Sequence, residues 1–156
     1  MMSTVISARS DDAQTKVGCI LVGADNNLLG CGYNGYVRGF DGNAIPNVRP
    51  EKYEFFIHAE INAILNCGRK GVPLLGAKAY ISGKPCTNCY QSMLQAGINE
   101  IVYTDYSAVN KICNDERVPG ILNYLSDCRY RFIPFSKVLE QFYGVYNEQA
   151  KENEGC

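Results

Sequence analysis

Apolar residues fall along this chain in two rhythms. Residues 17–22 and 28–32 are short β-rich runs, and the polar stretch Ala24-Asp25-Asn26-Asn27 between them reads as a turn, so the pair predicts a hairpin. Residues 77–82, 100–104 and 130–133 are further runs of strand length. Elsewhere the spacing is helical. Ile57, Ile61, Ile64 and Leu65 recur at helical intervals and predict a helix over 57–68. Met93 and Leu94 mark the buried face of a helix over 86–96, which Gly97 closes. Ile121, Leu122 and Leu125 predict a helix over 118–125, and residues 138–146 predict another. A helix of about two turns over 1–9 opens the chain and breaks at Ser10-Asp11-Asp12. From about residue 147 the chain reads as a polar tail, frayed from 150 onward.

The hairpin is antiparallel. The later strands are separated by helices, which predicts parallel crossovers. The expected fold is therefore α/β: a three-layer α/β/α sandwich around a mixed five-stranded sheet, with one domain over 1–156. Residues 36–54 interrupt this scheme. They form a loop with Gly39, Gly42, Pro46 and Pro50 that also holds Arg38, Arg49 and Lys52. A connection of about nineteen residues is long for a compact domain, and such loops are usually functional or disordered. The plain alternative is a surface loop whose charges meet water.

Composition narrows the picture. A chain of 156 residues with 46% apolar content suits one globular domain with a real core. No apolar run approaches the ~20 residues of a membrane helix, and no basic segment followed by an apolar one suggests a signal peptide. The expectation is a cytoplasmic protein with no membrane partner. Net charge is −1 and lysines and arginines do not cluster, which argues against a nucleic-acid polymer as the main partner. A single nucleotide needs only one or two local cations. Without a secretory signal, a disulfide framework is the weaker reading of the eight cysteines. Cys19 and Cys31 lie in strand-like runs and read as buried thiols. Cys67, Cys113 and Cys128 lack paired spacing, and Cys156 ends the tail.

Only Cys86 and Cys89 stand at metal-ligand spacing, within Pro85-Cys86-Thr87-Asn88-Cys89. The single histidine lies in His58-Ala59-Glu60. Zinc takes neutral imidazole and thiolates, and a catalytic site keeps its fourth position open for water. His58, Cys86 and Cys89 would be the ligands, leaving Glu60 to handle protons. Cys-x-x-Cys at a helix start puts both sulfurs on one side of the first turn, where the helix N-terminus favours thiolate. Two positions along a helix turn by roughly 200°, so Glu60 would not share the metal with His58 from mid-helix. At a helix start, where the chain is still turning in, it can face the metal-bound water instead.

This H-x-E…P-C-x-x-C arrangement is the pattern of zinc nucleobase deaminases. With Ala8-Arg9-Ser10-Asp11-Asp12, Lys16-Val17-Gly18, Gly32-Tyr33-Asn34-Gly35, the stretch from His58 through Ile64, and Gln95-Ala96-Gly97-Ile98, the chain resembles the cytidine/deoxycytidylate deaminase superfamily and its deoxycytidylate branch. The resemblance implies a cytidine deaminase-like fold and hydrolysis of dCMP to dUMP and ammonia, which supplies dUMP for thymidylate synthesis. It implies one zinc per subunit and a homo-oligomer, a hexamer in many members. Glu60 would be the proton carrier. Ala59 and the Cys86 neighbourhood would bind the base, and Asn34 the sugar. Lys84, Tyr106 and Lys111 are candidates for the 5′-phosphate. Family regulation by dCTP as activator and dTTP as inhibitor, with Mg2+, would involve the segment after Asn34. Arg38 and Gly39 are candidates there, with Arg69 just past the second helix. The first helix is short for the family, which implies a reduced packing role.

Alternatives remain at this stage. The enzyme could deaminate another base, such as free cytidine or the adenosine of tRNA. A closed structural zinc, with a fourth protein ligand, would make the chain a binding module instead.

Overall fold

A computed structural model describes residues 1–44, 46–107 and 127–154. The helix expected over 118–125 lies outside the described residues. The elements run α1 (Met2–Ser7), β1 (Gly18–Val22), β2 (Leu28–Tyr33), β3 (Gly35–Tyr36), β4 (Phe56–Ile57), α2 (Ala59–Gly68), β5 (Lys78–Ile81), α3 (Thr87–Gln95), β6 (Glu100–Tyr103), β7 (Arg129–Phe132) and α4 (Phe135–Glu154). The main sheet has five strands in the order β2-β1-β5-β6-β7. β1 is antiparallel to β2 and β5, whereas β5, β6 and β7 are parallel. This is the mixed sheet expected from the alternation of strands and helices.

The register shows how the sheet is covered. Cys19 lies opposite Gly32 and Ile81, and Leu21 opposite Gly30 and Ala79, so these residues share one face. Ile101 and Tyr130 continue that face across β6 and β7. Its side chains join Ala59, Ala63 and Cys67 of α2 and Tyr90 and Met93 of α3 in one buried cluster. The opposite face takes α1, which sits over Gly18.

Two glycines make these contacts possible. A Cβ at Gly32 would stand 2.3 Å from the Ala63 nitrogen and 2.4 Å from the Ala59 carbonyl oxygen. A Cβ at Gly18 would stand 2.0 Å from the Ser3 carbonyl oxygen. Backbone therefore lies directly on backbone on both sides of the hairpin. Helix α1 is as short as expected, six residues, yet it buries Ser3, Thr4 and Ser7. Its packing role is kept, through small polar residues rather than a long apolar stripe.

Two further differences from the expected elements stand out. The segment over 36–54 is neither structureless nor wholly solvated. Its ends are joined by the β3–β4 ribbon, where the Tyr36 and Phe56 ring centroids lie 4.4 Å apart, and short 3-10 turns span Gly42–Ala44 and Glu51–Glu54. Two-residue strands are too short to show a periodicity. The last helix runs for 20 residues, Phe135–Glu154, through most of the stretch read as a polar tail. Residues 147–154 contain neither Gly nor Pro and include Glu, Gln, Ala and Lys, all good helix formers. Polarity there does not mark an end of the helix.

Replacing Gly32 with Ala should drive α2 off β2. Overpacking of this kind costs about 1–3 kcal/mol, which for a chain of this size lowers the melting temperature by roughly 2–12 °C. Thermal unfolding of Gly32→Ala beside the wild type measures it.

Candidate active site

Two helix starts meet at one end of the sheet. His58 is the N-cap of α2, with φ −68° and ψ 155°, and Cys86 is the N-cap of α3, with φ −73° and ψ 165°. Both residues are extended while their carbonyls already accept helical hydrogen bonds, from Asn62 N–H at 2.9 Å and from Tyr90 N–H at 2.9 Å. The extended caps turn the His58 ring and the Cys86 sulfur out of their helices and toward each other. Cys89, one turn further along α3, is buried.

The three donors converge on one point. His58 Nδ1 lies 3.5 Å from Cys86 Sγ and 3.3 Å from Cys89 Sγ. Ordinary Zn–S and Zn–N bonds at a tetrahedral angle would separate such atoms by about 3.6 Å. All three ligand atoms lie within 4.8 Å of one another, and no fourth His, Cys, Asp or Glu joins them among the described residues. The donor set and its spacing fit zinc, with one corner left for a non-protein ligand.

The electrostatics suit a cation at this point. The Cys86 thiol is drawn down to about 4, by hydrogen bonding from Cys89 and from His58 against the cost of burial. Cys89 is pushed up by its hydrogen bond to Cys86, by burial and by the nearby Glu60 charge. His58 is raised by its hydrogen bond to Cys86. The Glu60 carboxyl, 4% exposed in the first turn of α2, is lifted above its usual range by burial. It sits in the neighbourhood of the sulfurs without belonging to the donor cluster.

A pocket of about 100 Å³ opens on this cluster. His58, Ala59, Glu60 and Cys86 form one side, and Val17, Asn34 and Lys84 also line it. With Val17, six more residues not singled out as site residues from the sequence complete the lining: Asp12, Thr15, Arg49, Lys52, Tyr53 and Phe56. Asp12 stands inside the stretch that carries the family resemblance, a signal that was present. Arg49 and Lys52 were visible only as loop charges. Lys52 in fact is 2% exposed and pairs with Asp12 at 2.5 Å. A surface reading fails for it because a buried ammonium is tolerated when a carboxylate meets it. Arg49 donates to Thr15 Oγ1 at 2.5 Å.

The other candidates lie elsewhere. Tyr106 does not line the pocket; it is half exposed, with its ring centroid 4.8 Å from that of Phe135. Lys111 lies outside the described residues. Arg38, Gly39 and Arg69 come together in a second cavity of about 800 Å³, where Arg38 donates to Asn66 Oδ1 at 2.8 Å.

Fold and donor set define a class: α/β proteins with an open zinc corner at the start of two helices and a carboxylate held beside it. Residues 1–105 match the profile of the cytidine and deoxycytidylate deaminase zinc-binding region, and the chain belongs to that family. It is similar to the deoxycytidylate deaminase of Homo sapiens, 34% identical over 101 residues that cover 61% of this chain and 56% of the human protein. ComE operon protein 2 of Bacillus subtilis is 35% identical over 107 residues, 66% of this chain and 55% of that protein. The deoxycytidylate deaminase of Mycobacterium phage D29 is 33% identical over 115 residues, 65% of this chain and 88% of the phage protein. The chain thus spans little more than half the length of the human and Bacillus relatives. The dCMP deaminase of cyanophage S-TIM5 shares the fold, with a TM-score of 0.65 at 24% identity over 85% of this chain and 91% of that one.

The buried Asp12–Lys52 pair sets a pH dependence. Burial alone would raise the Asp12 carboxyl, but hydrogen bonds from Lys52, Gln14 N–H and Thr15 N–H outweigh it and hold the group below its usual value. A depressed folded pKa gives stability that is complete above the unfolded value of about 3.9 and is lost as pH falls through the folded value. Asp12→Asn should therefore be less stable than wild type at neutral pH, and the gap should close below about pH 4. Denaturant midpoints of both proteins across a pH series measure the gap.

Proposed function

We propose that this chain hydrolyses dCMP to dUMP and ammonia. The observation that carries the reading is Glu60, buried beside a three-donor cluster that lacks a fourth protein ligand among the described residues. Zinc held by His58, Cys86 and Cys89 supplies a Lewis acid and an activated water at neutral pH.

The remaining work falls to the chain's own side chains. Glu60 takes one proton from the attacking water and gives it to ring nitrogen N3, then takes the remaining proton from the hydroxyl added at C4 and passes it to the departing amine. Its raised affinity for protons suits that shuttle, and such acid–base help is typically worth about 10²–10⁴ in rate. The products balance: water adds its oxygen at C4, and the amine leaves as ammonia. The Ala59 backbone and the Cys86 neighbourhood hold the base, with Phe56 and Val17 as apolar walls of the same pocket. Asn34 meets the sugar. Lys84 stays a phosphate candidate because it lines the pocket, and Arg49 joins it from the opposite wall. Tyr106 and Lys111 have no comparable support.

The finer reading follows the family. The enzyme supplies dUMP for thymidylate synthesis in the cytoplasm, assembles as a hexamer, and answers to dCTP and dTTP with Mg2+. Arg38, Gly39 and Arg69 sharing one cavity supports an effector triphosphate there.

One set of assays tests this. The wild-type protein should carry one zinc and turn over dCMP, read as loss of the cytosine absorbance. Glu60→Gln should keep its zinc and lose turnover, by about 10²-fold or more, whereas Cys86→Ser should lose zinc as well. Two charged contacts to the phosphate predict a preference for dCMP over cytidine of about 10²–10⁴ in kcat/KM. Equal rates on both would remove the phosphate reading. A dTTP titration with Mg2+ should inhibit the wild type and leave Arg38→Ala unaffected; a flat wild-type curve removes the effector site.

A further inference from the structure

Asn34 is 6% exposed in the wall of the small pocket, and both hydrogens of its amide are engaged. Nδ2 donates to Asp12 Oδ2 at 3.1 Å and to the Thr15 carbonyl at 2.8 Å. Oδ1 accepts from Val17 N–H at 2.7 Å. Turning the amide over would set its NH2 against an N–H, and its oxygen against a carboxylate and a carbonyl. Three hydrogen bonds would become three repulsions. The orientation is thus settled by its neighbours, and the free capacity of the side chain is the second lone pair of Oδ1. Asn34 can accept one more hydrogen bond and can donate none.

What holds this arrangement is the Asp12 carboxylate. Besides Asn34 it accepts from Gln14 N–H at 2.7 Å, Thr15 N–H at 2.9 Å and Lys52 Nζ at 2.5 Å. Four donors converge on two oxygens. Lys52 supplies the charge that keeps the buried carboxylate ionised, since a buried anion stripped of its partner takes up a proton instead. A protonated Asp12 would carry its own O–H and could no longer serve as an acceptor on every side. Lys52 also comes from the 3-10 turn Glu51–Glu54 on the segment that forms the other wall of the pocket. One ion pair therefore joins that segment to the amide.

We propose that Asp12 and Lys52 are positioning residues for substrate selection: they hold Asn34 as an acceptor only, so that the pocket requires a hydroxyl donor on its ligand at that wall. This deepens the deaminase reading and rests on it for the identity of the ligand. dCMP has a single sugar hydroxyl, so that hydroxyl is the donor the pocket would require.

The test compares dCMP with its 2′,3′-dideoxy analogue on the zinc-loaded protein. The wild type should lose about 10–100-fold in kcat/KM when the hydroxyl is removed, because the second lone pair of the buried Asn34 Oδ1 loses its donor. In Asp12→Asn and Lys52→Met, dCMP should fall toward the analogue's value, chiefly through KM, while the analogue changes little. The ratio between the two substrates then collapses toward one, and Lys52→Arg restores most of it. A uniform loss on both substrates, with the ratio kept, would mean that the pair only supports the fold and would overturn the proposal. A second readout needs no substrate. The Asn34 side-chain amide protons should exchange slowly in the NMR spectrum of the ligand-free wild type and much faster in Asp12→Asn. Unchanged exchange overturns the positioning role even if Lys52→Met fails to fold. A wild type inert toward dCMP but with the expected exchange difference would remove the deaminase reading while leaving Asn34 held as described.

Discussion

The structure depends on how closely α2 can lie on β2. Its chemistry needs a nitrogen from one helix start and two sulfurs from another within a few ångströms of each other. Nothing in either helix alone secures that. What secures it is the sheet, whose strands β2 and β5 set where the two helices begin. Gly32 brings the α2 backbone to a distance that a single methyl group would prevent. The extended caps His58 and Cys86 then convert helix placement into donor placement. A shift of α2 would not weaken one contact; it would separate Nδ1 from both sulfurs at once.

Charge burial follows the same economy of placement. Glu60 and Lys52 are both almost fully buried, but in opposite circumstances. Lys52 has the Asp12 carboxylate at 2.5 Å. Glu60 forms no such ion pair among the described residues, and burial raises its affinity for a proton. The first situation suits a fixed support and the second suits a group that must change protonation state. The pocket thus holds one carboxyl below its usual range through its partners, while burial lifts the other above it.

Much of this was legible beforehand, for physical reasons that differ by region. The five main strands announced themselves because β1, β5 and β6 are covered well enough to demand apolar runs. The donor cluster was legible because Cys-x-x-Cys with metal-ligand spacing occurs once in the chain and the chain holds one histidine, followed two positions on by a glutamate. Lys52 was not legible. Its burial depends on Asp12, forty positions away in sequence, and no local pattern distinguishes a buried loop lysine from a solvated one. The β3–β4 ribbon escaped because two residues cannot establish an alternation. The C-terminal helix outruns the tail boundary because a polar stretch without Gly or Pro has the composition of a frayed end and of a helix alike.

The two cavities are lined by different residues of the same two stretches of chain. Helix α2 gives His58, Ala59 and Glu60 to the small pocket and Asn62, Leu65, Asn66 and Arg69 to the large one. The segment between β3 and β4 gives Arg49, Lys52, Tyr53 and Phe56 to the small pocket, and Val37, Arg38 and Phe40 to the large one. A ligand in the large cavity can therefore act on the small one without any longer path through the protein. It does so only to the extent that it binds different positions of the shared segment unequally. The element with something to lose in such a shift is the Asp12–Lys52 pair, because it ties the segment to Asn34 and cannot be stretched without exposing a buried charge. Helix α2 is the other element common to both cavities, and Gly32 holds it against β2, so the segment that carries Lys52 is where a shift would be felt first at the small pocket.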